Sequence, residues 1–392
     1  MKRFLTLLAI LLLAPGFLRG QGLPELEKAK EIVTGELPDG ISYYLIKNLS
    51  RPGFADFALV QPYRDATTTP REDLVSLPHF RDGKPYEFLA RCGVGYGPRG
   101  FVRQQGDATV YRFADVPVSS PAVADSTMLL LFDLALSSPH VQSVVISGDI
   151  DVDAISERLR ILSMTVPRRT PATRDSGYGW TSQEEAVVTT GTGPVGLIRA
   201  TYRSPRTDAA LMNTIQPIMS RLLAREMDII LSRRLRAAFN KASIPLADYH
   251  FRYTGSDSTP GDELLSVTLE TAPECLEAAT RTLAEVLGGM DRDGVTTEEV
   301  FFARTHITEN TLRDDSNFRL SNAQYLDKCI SACLYGSNLA SYASLSKLFT
   351  NRKLDIERER ELLDRYVSAM ISPSRNLRLY AAAPAKPVGA NV

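Results

Sequence analysis

Val144-Val145-Ile146-Ser147-Gly148-Asp149-Ile150-Asp151 is the stretch on which the fold turns. Its first residues are β-branched and apolar, which suits a short strand, because such side chains pack well on a pleated surface. Gly148 and Asp149 turn the chain. Asp151 then stands where a carboxylate can accept the free N–H groups of a helix start. The helix it predicts sets Ile155, Leu159 and Leu162 on one face. The same step returns downstream. A strand over 264–270 runs through Pro273, a favoured first helical residue, into a stripe of Cys275, Leu276, Ala279, Leu283 and Leu287. A strand that feeds directly into an amphipathic helix, met twice, predicts an α+β chain of two similar units in tandem.

Working outward, Pro38-Asp39-Gly40 predicts a tight turn before a strand over 41–46. Further strands are expected over 55–61, 109–113 and 141–147, with a helix over 121–136. Residues 166–186 hold Pro167, Pro171, Ser176, Gly177 and Gly179 and read as a linker. The second unit opens at Val187, with strands over 197–202, 249–254, 264–270 and 377–382. A long helical stretch over 208–240 is expected to be interrupted or kinked at Pro217, which cannot donate a helical hydrogen bond. Thr296 and Glu299 have the spacing of a capping box, and helices are expected from there to Met370. The resulting division is 1–22 leader, 23–165 first domain, 166–186 linker, 187–384 second domain and 385–392 tail.

A length of 392 residues exceeds one ordinary core and suits two domains. The net charge of −1 provides no basic field for nucleic acid or anionic lipid. Lys2 and Arg3, the apolar run over 4–13, the break at Pro15 and Gly16, and the small residues Gly20 and Gly22 predict a secretory signal peptide. That run is about half of the roughly 20 residues that span a bilayer. No integral membrane segment is expected after cleavage, and the location expected is the periplasm or the secreted fraction. The cysteines Cys92, Cys275, Cys329 and Cys333 read as thiols that pack as small hydrophobes. Cys329 and Cys333 lie one helical turn apart, a poor geometry for a disulfide.

Several stretches, in this order, carry a resemblance. They are Leu37-Pro38-Asp39-Gly40-Ile41-Ser42-Tyr43-Tyr44, Ser76-Leu77-Pro78-His79-Phe80-Arg81-Asp82-Gly83, Gly106-Asp107-Ala108-Thr109-Val110-Tyr111, the stretch quoted first, and Arg233-Arg234-Leu235 followed by Tyr249, Tyr253 and Gly255. Together they resemble the insulinase/pitrilysin-type metallopeptidases over nearly the whole mature chain. The resemblance implies two tandem α/β sandwich units like those of mitochondrial processing peptidase, here with the first unit truncated. It also implies a zinc site built on His-x-x-Glu-His, with the Glu as general base and a further Glu downstream as third ligand. On this sequence the motif falls at His79, Asp82 and Gly83. His79 keeps the first ligand, Asp82 replaces the base with a shorter side chain, and Gly83 offers no donor. Pro85 also disfavours helical geometry at Lys84. After the helix over 121–136 the relatives insert the segment that carries the third ligand. Here Ser137-Ser138-Pro139-His140 runs straight on, and Phe101 stands where the family often has an Asn. The expectation is therefore no catalytic residue, no metal and no cofactor, with zinc confined to active relatives.

His140, His250 and His306 are expected to be structural, as are the acid pairs Glu184-Glu185 and Glu298-Glu299. No Gly-x-Ser-x-Gly elbow occurs. The glycines of 93–97 and 191–193 lack a Walker lysine. The reading reached is an exported, non-catalytic homologue from a Gram-negative periplasm that binds peptides or partners an active peptidase subunit. The alternatives are a zinc endopeptidase working through His79 and Asp82, and a decayed remnant with an underfilled first core.

Overall fold

The computed structural model describes residues 25–62, 85–95, 102–105, 108–136, 138, 140–170, 187–315, 320–341, 345, 355–371 and 376–384. They form two compact units. Among the described residues, one comprises those between 26 and 170 with 320–341, and the other those between 187 and 315 with those between 345 and 384 and Glu25.

The first unit is built on strands β1 (Ile32–Glu36), β2 (Ser42–Lys47), β3 (Phe54–Gln61), β4 (Val102–Gln105), β5 (Ala108–Pro117) and β6 (Ser143–Gly148). They lie in the order β1-β2-β6-β3-β5-β4. Strands β2 and β6 run parallel, and the other neighbours are antiparallel. The predicted turn at Pro38-Asp39-Gly40 joins β1 to β2. Gly40 has φ +86°, a left-handed conformation that only glycine adopts freely. The Asp39 carboxylate accepts the Ile41 N–H at 3.0 Å, which fixes the turn.

Both faces of this sheet are covered. Successive side chains of a strand point to opposite faces. Phe57 and Leu59 of β3 and Val144 and Ile146 of β6 therefore pack on one side, with Met128, Leu131 and Leu159. Those partners belong to helices α2 (Pro121–Ala135) and α3 (Val152–Ser163), and a short α1 (Pro85–Arg91) adds Leu89 to the same core. Ala58, Val60 and Val145 face the other way. There they meet Leu326, Cys329, Ile330 and Leu334. A sheet covered on both faces needs strands that are apolar throughout, and β3 and β6 read that way.

The helix on that second face is α7 (Asn322–Tyr335). It belongs to the first unit, whereas the run of the sequence placed it in a second domain over 187–384. The correction has a simple cause. Its apolar stripe is indistinguishable in sequence from that of its neighbours, and only tertiary contact shows which sheet it covers. The contact is specific as well as apolar. Asn48 donates to Asn322 Oδ1 at 2.8 Å and to the Leu320 carbonyl at 3.0 Å. Tyr325 donates to Glu31 at 3.1 Å, and the Cys333 thiol lies 3.0 Å from Ser143 Oγ.

The turn after β6 is as the sequence implied. Gly148 lies so close to β3 that an added Cβ would come within 2.3 Å of Ala55, so no side chain fits. Asp151 caps α3 by accepting the Ala154 N–H at 3.0 Å.

The second unit holds β7 (Val187–Thr192), β8 (Gly196–Ser204), β9 (Leu246–Thr254), β10 (Glu263–Thr271) and β11 (Leu377–Ala383). Their order is β7-β11-β8-β10-β9. Only β7 and β11 pair in parallel among these neighbours. Helices α4 (Gln216–Lys241), α5 (Leu276–Asp293), α6 (Thr297–Asp315) and α8 (Ile356–Ile371) supply its core. Along β10, Leu265, Val267 and Leu269 are buried, while Leu264, Ser266 and Thr268 are half-exposed. That alternation marks a sheet with one covered face.

The helical stretch expected over 208–240 is interrupted near Pro217 and not kinked there. Pro217 sits in the first turn of α4, where a missing N–H costs nothing, and residues 209–211 form a separate turn before it. Pro273 likewise opens a short 3-10 turn, and α5 starts at Leu276. The capping box forms as expected. Glu299 N–H donates to Thr296 Oγ1 at 3.2 Å, and Thr296 N–H donates to Glu299 Oε2 at 2.8 Å. The same Glu299 holds Arg234 of α4 through two contacts of 2.7 Å. All four cysteines are free thiols, and Cys329 is buried. Burial pushes the Cys329 thiol up to about 12, which leaves it uncharged at neutral pH. No helix among the described residues is long and apolar enough to cross a membrane.

Truncating Ile330, fully buried under the first sheet, to Ala should cost about 2–5 kcal/mol. Hydrogen exchange followed by mass spectrometry checks where the loss falls. Protection should drop in β3 and β6 and remain in β8 and β10.

Candidate functional site

The motif residues His79, Asp82 and Gly83 lie outside the described residues, as do Phe101, the glutamates Glu184 and Glu185, and most of the linker. The elements that flank the motif are described. Strand β3 ends before it at Gln61, and α1 begins after it at Pro85. Strand β4 forms the edge of the sheet beside β5. Among the described residues, no three His, Cys, Asp or Glu side chains are grouped as a metal would require.

The passage from α2 to β6 has a definite construction. Helix α2 ends at Ala135 and β6 begins at Ser143. The last carbonyls of a helix have no partner within it and need one elsewhere. Two buried glutamines provide it. Gln61 donates to the Leu134 carbonyl at 3.1 Å. Gln142 donates to the Ala135 carbonyl at 2.9 Å and the Ser138 carbonyl at 3.0 Å. The two amides also bond each other at 3.1 Å. Arg169 adds a further bond to the Ser138 carbonyl. Asp125, an acid of α2, pairs with Arg158 of α3 at 2.7 Å. Replacing Gln142 with Ala strips the Ala135 and Ser138 carbonyls of a buried donor. It should lower unfolding free energy by about 1–3 kcal/mol, read from the urea midpoint at unchanged slope.

A second feature of this sheet is electrostatic. At a bulge opposite Asp56, Asp115 adopts φ 58° and its N–H donates to Asp56 Oδ1 at 2.9 Å. Arg51 pairs with Asp115 and stacks 4.6 Å above the Phe54 ring. Burial pushes the Asp56 carboxyl up to about 6, against the opposing pull of Arg112 and Arg51. A carboxyl raised in the fold favours folding fully below its unfolded value, and that contribution is lost as pH rises through about 6. Asp56→Asn keeps the acceptor and removes the titration. Between pH 4 and pH 7.5 the stability of the variant relative to the parent should rise by roughly 2 kcal/mol, measured by denaturant unfolding at each pH.

The third feature lies in the second unit. Residues of α4, β9 and α6 line a pocket of about 500 Å³. Asp228, Arg233, Arg236, Tyr249, Phe302 and His306 are among its lining residues, and so is His250. Tyr249 donates to Asp228 Oδ1 at 2.8 Å. Burial raises the Asp228 carboxyl above its ordinary range, opposed by Tyr249 and Arg225. The same burial, with the Asp228 charge, raises the Tyr249 phenol. His250 also meets Asp248 at 2.9 Å. The sequence treated His250 and His306 as isolated structural residues, and the fold brings them to one pocket. His140 lies in the first unit, where it bridges to Thr170. The signal that might have joined the others was the helical spacing of Arg233 with Arg236 and of Phe302 with His306.

The sequence matches no protein-family profile, and no curated protein matches it. Solved structures do match. The chain is similar to a predicted insulinase family protease from Yersinia pestis, with 15% identity, a TM-score of 0.70, and 96% of this chain and 97% of that one covered. It is similar to the periplasmic protease PqqL from Escherichia coli, at 12% identity and a TM-score of 0.69. That match covers 93% of this chain and 50% of PqqL, so this chain spans about half of that protein's length. It is also similar to a peptidase M16 inactive domain from Pseudomonas fluorescens, at 11% identity and a TM-score of 0.63, with 91% and 98% covered. The chain thus has the mixed α/β, two-sheet fold of an insulinase-type, or M16, peptidase half, as the sequence motifs implied.

Proposed function

We propose that this protein is an exported, non-catalytic member of the insulinase-type fold that binds peptides or pairs with an active peptidase half. The observation that carries the reading is the sealed passage from α2 to β6. Residues 136–142 connect the two directly, and buried glutamine amides occupy the helix end. The family segment that would bear a third zinc ligand has no place in this connection, which contains no Asp or Glu. The remaining donors do not fit zinc. A hydrolytic zinc needs three protein ligands and an open position for water. The motif offers the His79 imidazole, the short Asp82 carboxylate and, at Gly83, nothing.

The remnant reading fits poorly with this construction. Phe57, Leu59, Val144 and Ile146 are buried against one set of helices, and Ala58, Val60 and Val145 against another. A core filled on both faces of its sheet supports a unit that is maintained. Location in the periplasm, or secretion, accords with the charged and apolar leader over 1–22. The similarity to a periplasmic protease accords with it too.

The test uses the purified full chain. Elemental analysis should find zinc far below one per chain, and a quenched fluorescent peptide library should not be cut when zinc is added. Labelled unfolded peptides should bind saturably, or the chain should co-elute with a protein that carries an intact His-x-x-Glu-His motif. Stoichiometric zinc with peptide turnover, both abolished by His79→Ala, would instead establish the endopeptidase reading. A monomer that binds neither peptide nor such a protein would sink the proposal.

A further inference from the structure

We infer that the pocket between α4, β9 and α6 is a binding site for a flat, ring-bearing oxyanion, such as an aryl phosphate or aryl carboxylate. The argument starts from charge matching. In this unit Arg203, Arg221, Arg234, Arg304 and Arg360 each meet a carboxylate. Arg233 and Arg236 do not pair with any acid among the described residues, yet both line the pocket. They stand three residues apart on α4, which places them on one helical face. The carboxylate that shares the pocket, Asp228, is engaged by the Tyr249 hydroxyl at 2.8 Å. Two arginines and one carboxylate share the walls, which leaves a surplus of positive charge there.

Geometry then narrows the ligand. The Arg233 guanidinium lies 4.2 Å above the centroid of Phe302. A guanidinium stacked on a ring has its plane fixed, and its N–H edges stay free to receive two oxygens of a carboxylate or phosphate. Phe302 in turn faces His306 across 6.3 Å, with the two planes only 9° apart. These parallel planes form an aromatic platform beside the cationic edge. Phe302 remains 42% exposed and the adjacent Phe301 63% exposed, so the platform is open to solvent. An aromatic ring against the platform, with its oxyanion on Arg233 and Arg236, uses both features together. A pocket of about 500 Å³ is within the usual range for small-molecule sites, roughly 300–1,000 Å³.

Calorimetry and saturation-transfer NMR on the full chain test this with phenyl phosphate and benzoate as probes. Inorganic phosphate and benzyl alcohol serve as the two halves. One or both ring-bearing oxyanions should bind saturably and more tightly than either half. The double variant Arg233→Ala with Arg236→Ala should weaken binding roughly tenfold or more, the effect expected from losing charge-assisted hydrogen bonds. Both arginines are exposed, so the thermal transition of the variant should match the parent. Phe302→Ala, a separate change on α6, should weaken the ring-bearing probes more than inorganic phosphate. Absence of binding by both probes overturns the inference. So does undiminished binding in the folded double variant, or benzyl alcohol binding as tightly as phenyl phosphate.

Discussion

Everything in the first unit depends on a sheet that must be buried on both sides. Alternation sends Phe57 and Leu59 to one face and Ala58 and Val60 to the other, and both sets are removed from water. Burial of apolar area is the dominant favourable term in folding. A sheet of this composition would therefore expose a large apolar surface if only α1, α2 and α3 covered it. The chain satisfies the constraint by bringing α7 from far downstream onto the open face. That single requirement couples residues near 45, 58 and 145 to residues near 330. It also explains why the division of the molecule does not follow the order of the sequence.

The second sheet is under a different constraint. It packs helices against alternate residues of β10 and leaves the intervening ones half-exposed. The polar side chains of that open face are matched across strands, as in the 3.0 Å contact of Thr201 with Ser266. Its helices are tied to one another by ion pairs, above all the two-pronged contact of Arg234 with Glu299. Glu299 serves the capping box and the ion pair at once, and its carboxyl is lowered by Arg234 and by Thr296 despite partial burial. The positive groups at the α4 pocket gain meaning from this setting. They contrast with Arg221 and Arg234 of the same helix, each of which meets a carboxylate.

Much of this was legible in the sequence where local chemistry decides the outcome. The Asp39-Gly40 turn, the Gly148-Asp149 turn, the Asp151 cap and the Thr296/Glu299 box all form, because each is a contact within a few residues of chain. Edge strands were less legible. Ile32-Val33-Thr34-Gly35-Glu36 has one buried position and became a strand because β2 offered it a ladder. Pro217 marks an interruption between the turn over 209–211 and α4, and local sequence does not tell an interruption from a kink. The position of α7 was beyond local reading altogether. The pocket was legible only as two helical spacings, Arg233/Arg236 and Phe302/His306. The distance in sequence between α4 and α6 hid their meeting.

The α2 terminus shows what a short helix-to-strand connection must supply. If chain were simply deleted between a helix and a strand, the helix would be left with open carbonyls. Burying each of those without a partner is unfavourable by about 1–3 kcal/mol. Here the carbonyls of Leu134, Ala135 and Ser138 are all satisfied, by Gln61 from β3, by Gln142 just before β6, and by Arg169. These donors come from three separate segments, and the two amides are locked to each other. Three donors from separate parts of the chain converge on one helix end. That is what a short connection requires in order to stay folded. The short connection is thus a stable structural element of this chain, and its polar groups are used up in holding the helix end.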